Sequence, residues 1–382
     1  MLVEHTTDIP ARRIYWTAFT GLFFDYYDLY LFVYLQKTLD AHFALSATES
    51  NWLQFAGLAG VGAGALLVGF LADRFGRARL LLATFVLYCV GIAGLAAAWS
   101  VTSLLGARLL ASLALGGEWG ISHSLLAACA TREQRYRYSA LLQFSILGGL
   151  LAAIAARYAL PVVGWRWLFG ASIVPVAILS GLRWNLLLQD EPLNHREMAP
   201  LVGAIRKQGR RFLLCLMLAS LTIASGTMNV FYAKDLPQSL WYTVAFWGLV
   251  APGMLGGAWL VRRWGVARAL QIYAGSLVTL SLACWTINWS GRSLLFALLL
   301  PVLNGIPFGL MGAYFNEMLG EYRTMLSGSA YNLGRIMAGF SPVLLASLGL
   351  DAGGRYFAFT AMVGLGAFAL TIPRTPAEPF RS

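Results

Sequence analysis

Two carboxylates three residues apart, deep in an apolar stretch, are the first residues of this 382-residue chain that could do chemistry. Asp25 and Asp28 lie within Ile14–Gln36, and i,i+3 spacing puts both on one face of a helix. A charge at the centre of a bilayer costs on the order of 3 kcal/mol, so such residues normally face a polar cavity or a partner. Two close carboxylates repel, and binding a proton relieves the repulsion. The pair therefore suits reversible proton binding; the plainer reading is two groups that hydrogen-bond neighbouring helices.

Arg108 and Glu118 stand ten residues apart in another apolar stretch. A helix rises 1.5 Å per residue, which separates them by roughly 15 Å, too far for direct pairing. Arg108 is available to Asp25 or Asp28 across helices, or to an anionic substrate. Glu118 suits a second proton site or an inner-gate partner, or a buried carboxylate bonded to an adjacent backbone or arginine. Further on, Tyr331, Asn332 and Arg335 share one helix face by i,i+4 and i,i+3 spacing. A guanidinium presents a fork that fits a carboxylate, so this face suits an anionic small molecule. The competing reading is a latch between Arg335 and the aspartates with no ligand. His123 is either a proton relay or a core histidine bonded to a neighbour. No nucleophile–base set and no metal-ligand spacing accompanies them, which argues against an enzyme and implies no cofactor and no metal. Cys89, Cys129, Cys215 and Cys284 are scattered in or beside apolar spans and read as small packing residues.

The elements that must position these groups are membrane helices. Hydrophobic residues make up 58% of the chain and charged residues 12%, half the share of about 25% usual in soluble domains. Apolar runs of about 18 residues or more, each long enough for a roughly 30 Å hydrocarbon core, begin near Ile14, Asn51, Leu80, Val101, Ala140, Trp167, Arg211, Leu240, Ala269, Leu294, Met325 and Tyr356. Trp16, Trp52, Trp99, Trp165, Trp184, Trp241, Trp264 and Trp289 lie near span ends, as interfacial anchors do. Gly60-x-Gly62-x-Gly64 lies inside an apolar helix with no strand before it, and reads as close helix packing rather than a dinucleotide loop. Pro252, Pro301, Pro307 and Pro342 inside spans predict kinks.

The formal net charge of +11 reflects topology rather than nucleic acid. With the N-terminus inside, Lys and Arg favour the cytoplasmic side by about three to one, which places both termini there. The longest polar interruption, 189–210, divides the spans six and six: a bundle over 1–188, a cytoplasmic linker, and a bundle over 211–382. A repeat supports the division, because Arg74, Gly76 and Arg79 recur at one offset as Arg263, Gly265 and Arg268. Parallel repeats of this kind place a solute site between the halves near the midplane.

Gly69-x3-Asp73-Arg74-x-Gly76-Arg77-x-Arg79 resembles the signature loop of the major facilitator superfamily, and Arg108-Leu-Leu-x4-Leu115-Gly116 is similar to its second motif. Gly116-Gly-Glu118-Trp-Gly120, Glu317, Glu321-Tyr-Arg323, Tyr331-Asn332-x-Gly334-Arg335 and Phe24-Asp25-x2-Asp28 resemble the metabolite–proton symporter branch and its organic-acid and sialate relatives. The second-half loop departs from the pattern with Arg262 in place of Asp73, and Gly320-Glu321-Tyr322 stands where the branch has proline-threonine.

The resemblance covers essentially the whole chain. It implies twelve transmembrane helices in two pseudosymmetric six-helix bundles, in a bacterial-type inner membrane, as a monomer embedded in lipid. It also implies that Gly69, Asp73, Arg74, Gly76, Arg77 and Arg79 brace a cytoplasmic gate. The favoured reading is proton-driven uptake of a small carboxylate by alternating access, with Asp25, Asp28 and Glu118 coupling protons and Arg108, Tyr331, Asn332 and Arg335 binding solute. An exporter of metabolites, siderophores or drugs is the alternative on the same fold.

Overall fold

The computed structural model describes residues 11–178, 181, 201–234, 240–286, 292–320, 322–341 and 352–371. Arg183, Trp184, Trp289, Glu321, Pro342 and the polar part of the linker, 189–200, lie outside them.

The first six helices are α1 (Ala11–His42), α2 (Ala47–Phe75), α3 (Arg77–Ala96), α4 (Val101–Cys129), α5 (Arg132–Val163) and α6 (Trp165–Gly170). They are followed by α7 (Leu201–Lys234), α8 (Leu240–Gly248), α9 (Val250–Trp264), α10 (Val266–Thr286), α11 (Arg292–Met318), α12 (Arg323–Ala338) and α13 (Ala352–Thr371). Each of the twelve expected spans meets a helix, the eighth being α8 and α9 together. The break between these two lies at Leu249. Pro252 has no N–H for the Gly248 carbonyl and its ring crowds that oxygen, which interrupts the ladder there. Pro301 and Pro307, by contrast, are carried inside the single helix α11.

Helix starts are written locally. Ser46, Ser100 and Thr131 close capping boxes with Glu49, Ser103 and Gln134, at the heads of α2, α4 and α5. Three corners use glycine at positive φ: Gly76 at +102°, Gly164 at +79° and Gly265 at +83°. In each, the glycine N–H returns to the carbonyl four residues back, and its own carbonyl starts the next helix. Gly76 and Gly265 are the repeated glycines of the two loops; Gly164 is a third copy that the loop sequences do not reveal. At the far end of α3, Arg166 donates to the Ala96 and Ala98 carbonyls at 2.7 and 2.9 Å, satisfying acceptors the helix leaves open.

Seven described helices are long and apolar enough to cross a membrane by length and composition. Helices α1 and α4, which hold the aspartates, Arg108 and Glu118, are not among the seven. Their polar groups turn inward, and lipid-facing positions such as Val33, Leu67 and Val162 stay exposed. Trp16, Trp52, Trp99 and Trp264 are exposed, as anchors require. Trp165 departs from that expectation: it is 8% exposed and packs against His42, Phe43 and Phe169. A tryptophan in the corner between two helices is near a span end, yet it faces the core.

The chain separates into two compact units, Met1–Leu216 with Met311–Ile336, and Met217–Leu310 with Met337–Ser382. In the first, α2 and α3 pack on α4 and α1 packs on α5. In the second, α10 packs on α13. Residues 201–210, read from sequence as the end of the linker, form the first turns of α7.

Candidate functional site

The buried charges of the first unit are concentrated along the seam between α1 and α4. Asp25, Asp28, Glu118 and Arg108 are 3%, 2%, 1% and 6% exposed, so all four are withdrawn from solvent and lipid. The two helices run antiparallel. Near one end Arg108 faces Asp28, and near the other Glu118 occupies a notch on α1 where a side chain at Gly21 would collide with its carboxylate. Arg108 lies 3.9 Å over the Phe32 ring, a cation–π contact. Its guanidinium also fills the space left by Gly57 on α2, where a Cβ would stand 2.8 Å from Nε. Ser172, just beyond α6, also neighbours Asp28. Of the partners offered to Arg108 by sequence reasoning, Asp28 is the one within electrostatic reach, and no hydrogen bond joins the two.

Arg335 sits with phenols. Its Nη2 donates to Tyr26 Oη at 3.3 Å and Tyr331 Oη at 3.4 Å, with the two hydroxyls 3.5 Å apart. Its guanidinium carbon lies 5.7 and 5.1 Å from the same two ring centroids. Nη1 is buried and has no hydrogen-bond partner. The contact expected between Arg335 and the aspartates is thus replaced by a contact with Tyr26, the residue that follows Asp25. Tyr331 is held in turn by Trp119, its ring stacked at 4.1 Å and 1°. His123, one turn beyond Trp119, is buried against that indole at 4.4 Å and fills the space at Gly312, with Nε2 lacking a hydrogen-bond partner. Asn332 turns from this cluster and donates to the Gly116 carbonyl at 3.0 Å, tying α12 to α4.

The sequence reading missed Tyr26 and Phe32, and it gave Trp119 and Gly57 no role at the site. Tyr26 lies between two flagged aspartates and Trp119 beside Glu118, so proximity in sequence was the available signal. Nothing local marks Phe32, whereas Gly57 belongs to the glycine-dense stretch of the second span that reads as close helix packing.

At the other end of α12 the brace takes shape. Asp73 is 1% exposed and accepts from Thr324 N–H at 3.3 Å, Met325 N–H at 2.9 Å and Arg77 Nη2 at 3.4 Å. The first two are orphan donors of a helix start, and the carboxylate also lies at the positive end of its dipole. Arg77 Nε donates to Thr324 Oγ1 at 2.9 Å, and Thr324 Oγ1 lies 2.9 Å from Ser124 Oγ. Gly69 admits this approach, since a Cβ there would stand 2.7 Å from Met325 Cα. Gly76 makes the turn, while Arg74 and Arg79 are exposed. Tyr136 donates to Glu317 at 2.7 Å, Gly320 N–H donates to Gln208 at 2.8 Å, and Phe70 stacks on Tyr322. Among the described residues no cluster of His, Cys, Asp or Glu could hold a metal ion.

Residues 18–342 match the model of the Major Facilitator Superfamily. The chain belongs to that superfamily. It is a multi-pass membrane transporter of small solutes, not an enzyme. A superfamily relative, the cis,cis-muconate transport protein of Acinetobacter baylyi (strain ATCC 33305 / BD413 / ADP1), is 26% identical over 378 residues, covering 91% of this chain and 88% of that one. The niacin transporter NiaP of the same strain is 32% identical over 173 residues, 44% of this chain and 39% of that one. Among solved superfamily structures, the proton:xylose symporter XylE aligns with a TM-score of 0.70 at 19% identity over 94% of each chain. The outward conformation of FucP aligns at 0.74 and 13% identity, over 94% of this chain and 97% of that one. These likenesses establish the twelve-span all-α superfamily fold expected from the sequence.

Proposed function

We propose that this transporter takes up a small organic carboxylate together with protons, by alternating access between halves 1–188 and 211–382 joined through 189–210. The observation that carries the reading is Arg335: two phenol hydroxyls steady one side of its guanidinium, and buried Nη1 keeps donor capacity for a carboxylate oxygen. Tyr331 steadies that fork and Asn332 anchors its helix. Both solutes named for the relatives, muconate and niacin, are carboxylates, which agrees with this donor set.

Coupling is assigned to Asp28, with Asp25 and Glu118 along the same seam. Asp28 faces Arg108 in a buried setting, where a proton on the carboxylate cancels the attraction between them and frees α1 to move against α4. Asp73, Arg77 and Gly69 hold the cytoplasmic gate, with Arg74, Gly76 and Arg79 shaping its loop. The protein works as a monomer in a bacterial-type inner membrane, both termini cytoplasmic, driven by the proton gradient without a cofactor.

Uptake of labelled carboxylates into proteoliposomes under an imposed pH gradient tests the assignment. Arg335→Ala and Asp28→Asn each abolish gradient-driven uptake if it is right, and unimpaired uptake in both overturns it.

A further inference from the structure

The second unit contains a polar link between the spans that correspond to those of Asp28 and Arg108, and it differs from that pair in chemistry. Ser225 on α7 donates to Asn304 Oδ1 on α11, and Asn304 Nδ2 returns a hydrogen bond to the Ser225 carbonyl at 3.1 Å. Both residues are fully buried. Asn304 follows Ser225 by 79 residues, and Arg108 follows Asp28 by 80. Each link joins the first and fourth spans of its half.

We infer that Ser225–Asn304 is the proton-inert counterpart of the coupling pair, a clasp that holds α7 to α11 in every protonation state and confines coupling to one half. The inference rests on the coupling role assigned above to Asp28. Facing Asp28 are Arg108 from α4, Cys89 from α3, Tyr27 from α1 and the Ser172 hydroxyl beyond α6. Facing Ser225 and Thr222 is the Tyr273 phenol of α10. The chain carries no Asp, Glu, Lys, Arg or His from Met217 to Ala233 or from Leu294 to Phe315; α10 and α13 add only Arg268 and Arg355, in their first turns, and α9, packed on α11 at Gly305, only Arg262 and Arg263, in its last turn. A reciprocal amide–hydroxyl link satisfies donors and acceptors on both helices without any group that ionises near neutral pH. Next to it, Gly226 lets the Phe308 ring approach, so the two helices also pack closely at this level.

The test is thermal unfolding of the purified full-length protein in detergent, with proteoliposome uptake, each across a pH series. Ser225→Ala is expected to lower Tm by about 2 °C, equally at every pH, and to leave the midpoint of the uptake–pH curve in place. Asn304→Asp is expected to introduce a pH-dependent step in Tm that the parent protein and Ser225→Ala lack. A Ser225→Ala loss that varies with pH, a displaced uptake midpoint, or an Asn304→Asp protein without the new step overturns the inference. Asp28→Asn is run beside them: uptake that keeps its pH dependence in that variant defeats the coupling assignment, whereas the clasp is judged by the unfolding curves alone.

Discussion

The Asp73 carboxylate accepts a 2.9 Å hydrogen bond from the main-chain N–H of Met325, 252 residues later in the chain. A side chain at the end of α2 thus caps the start of α12, the helix that carries Arg335 at its other end. The same carboxylate binds Thr324 N–H and Arg77, so one group ties a helix dipole, an arginine and a turn together.

Replacing Asp73 by Ala removes that cap and leaves buried N–H donors open. A lost cap costs about 1–2 kcal/mol. The expected outcome is a lower Tm in detergent and faster labelling of a cysteine placed in the first turn of α12. An unchanged labelling rate counts against a gating role for the contact.

Gly69→Val tests the same crossing sterically. A Cβ at Gly69 would lie 2.7 Å from Met325 Cα, so backbone must shift and a soft neighbour cannot absorb the clash. Overpacking of this kind costs roughly 1–3 kcal/mol. The variant should lose Tm by a similar amount to Asp73→Ala, and the double variant should lose less than the sum, because both act on one contact.

Arg335→Lys keeps the charge and loses the fork. Lysine is a point charge and cannot serve two phenols and a carboxylate in one plane. Removing one partner of a buried charged contact costs roughly 2–5 kcal/mol, about 30-fold or more in affinity. KM for the transported carboxylate should rise by that order in Arg335→Lys, and Tyr26→Phe should raise it less. Equal KM in the parent and Arg335→Lys proteins would show that no carboxylate meets Arg335.

Asp28→Asn removes the titratable member of the α1–α4 pair and keeps its shape. Solute exchange between equal concentrations needs no net proton movement and should survive, whereas accumulation against a gradient should vanish. Loss of both in a well-folded variant would assign Asp28 to solute binding instead.

Spans, their number and the residues worth testing were legible in the sequence, because an apolar run of bilayer length is a local property and an ionisable residue within one is conspicuous. Asp25, Asp28, Arg108, Glu118 and Arg335 all proved buried or partly buried on helices. The loop glycine shared by the two halves was legible for the same reason, and Gly76 and Gly265 adopt the same positive-φ corner.

Partners were decided by tertiary structure alone. Successive residues on a helix point about 100° apart, so a one-residue step around α1 determines whether Arg335 meets Asp25 or Tyr26. Composition and spacing cannot resolve that rotation; packing against α4 and α12 does. Arg108 had three candidate partners in sequence and takes Asp28, because Gly57 leaves room for its guanidinium and Phe32 lies beneath it. Ser225 and Asn304 carry no local signal, since two neutral residues 79 positions apart acquire meaning only when helices bring them together. The sequence alone determined which groups had to be sheltered from lipid; which of them meet was settled by the rotation and close approach of helices distant in the chain.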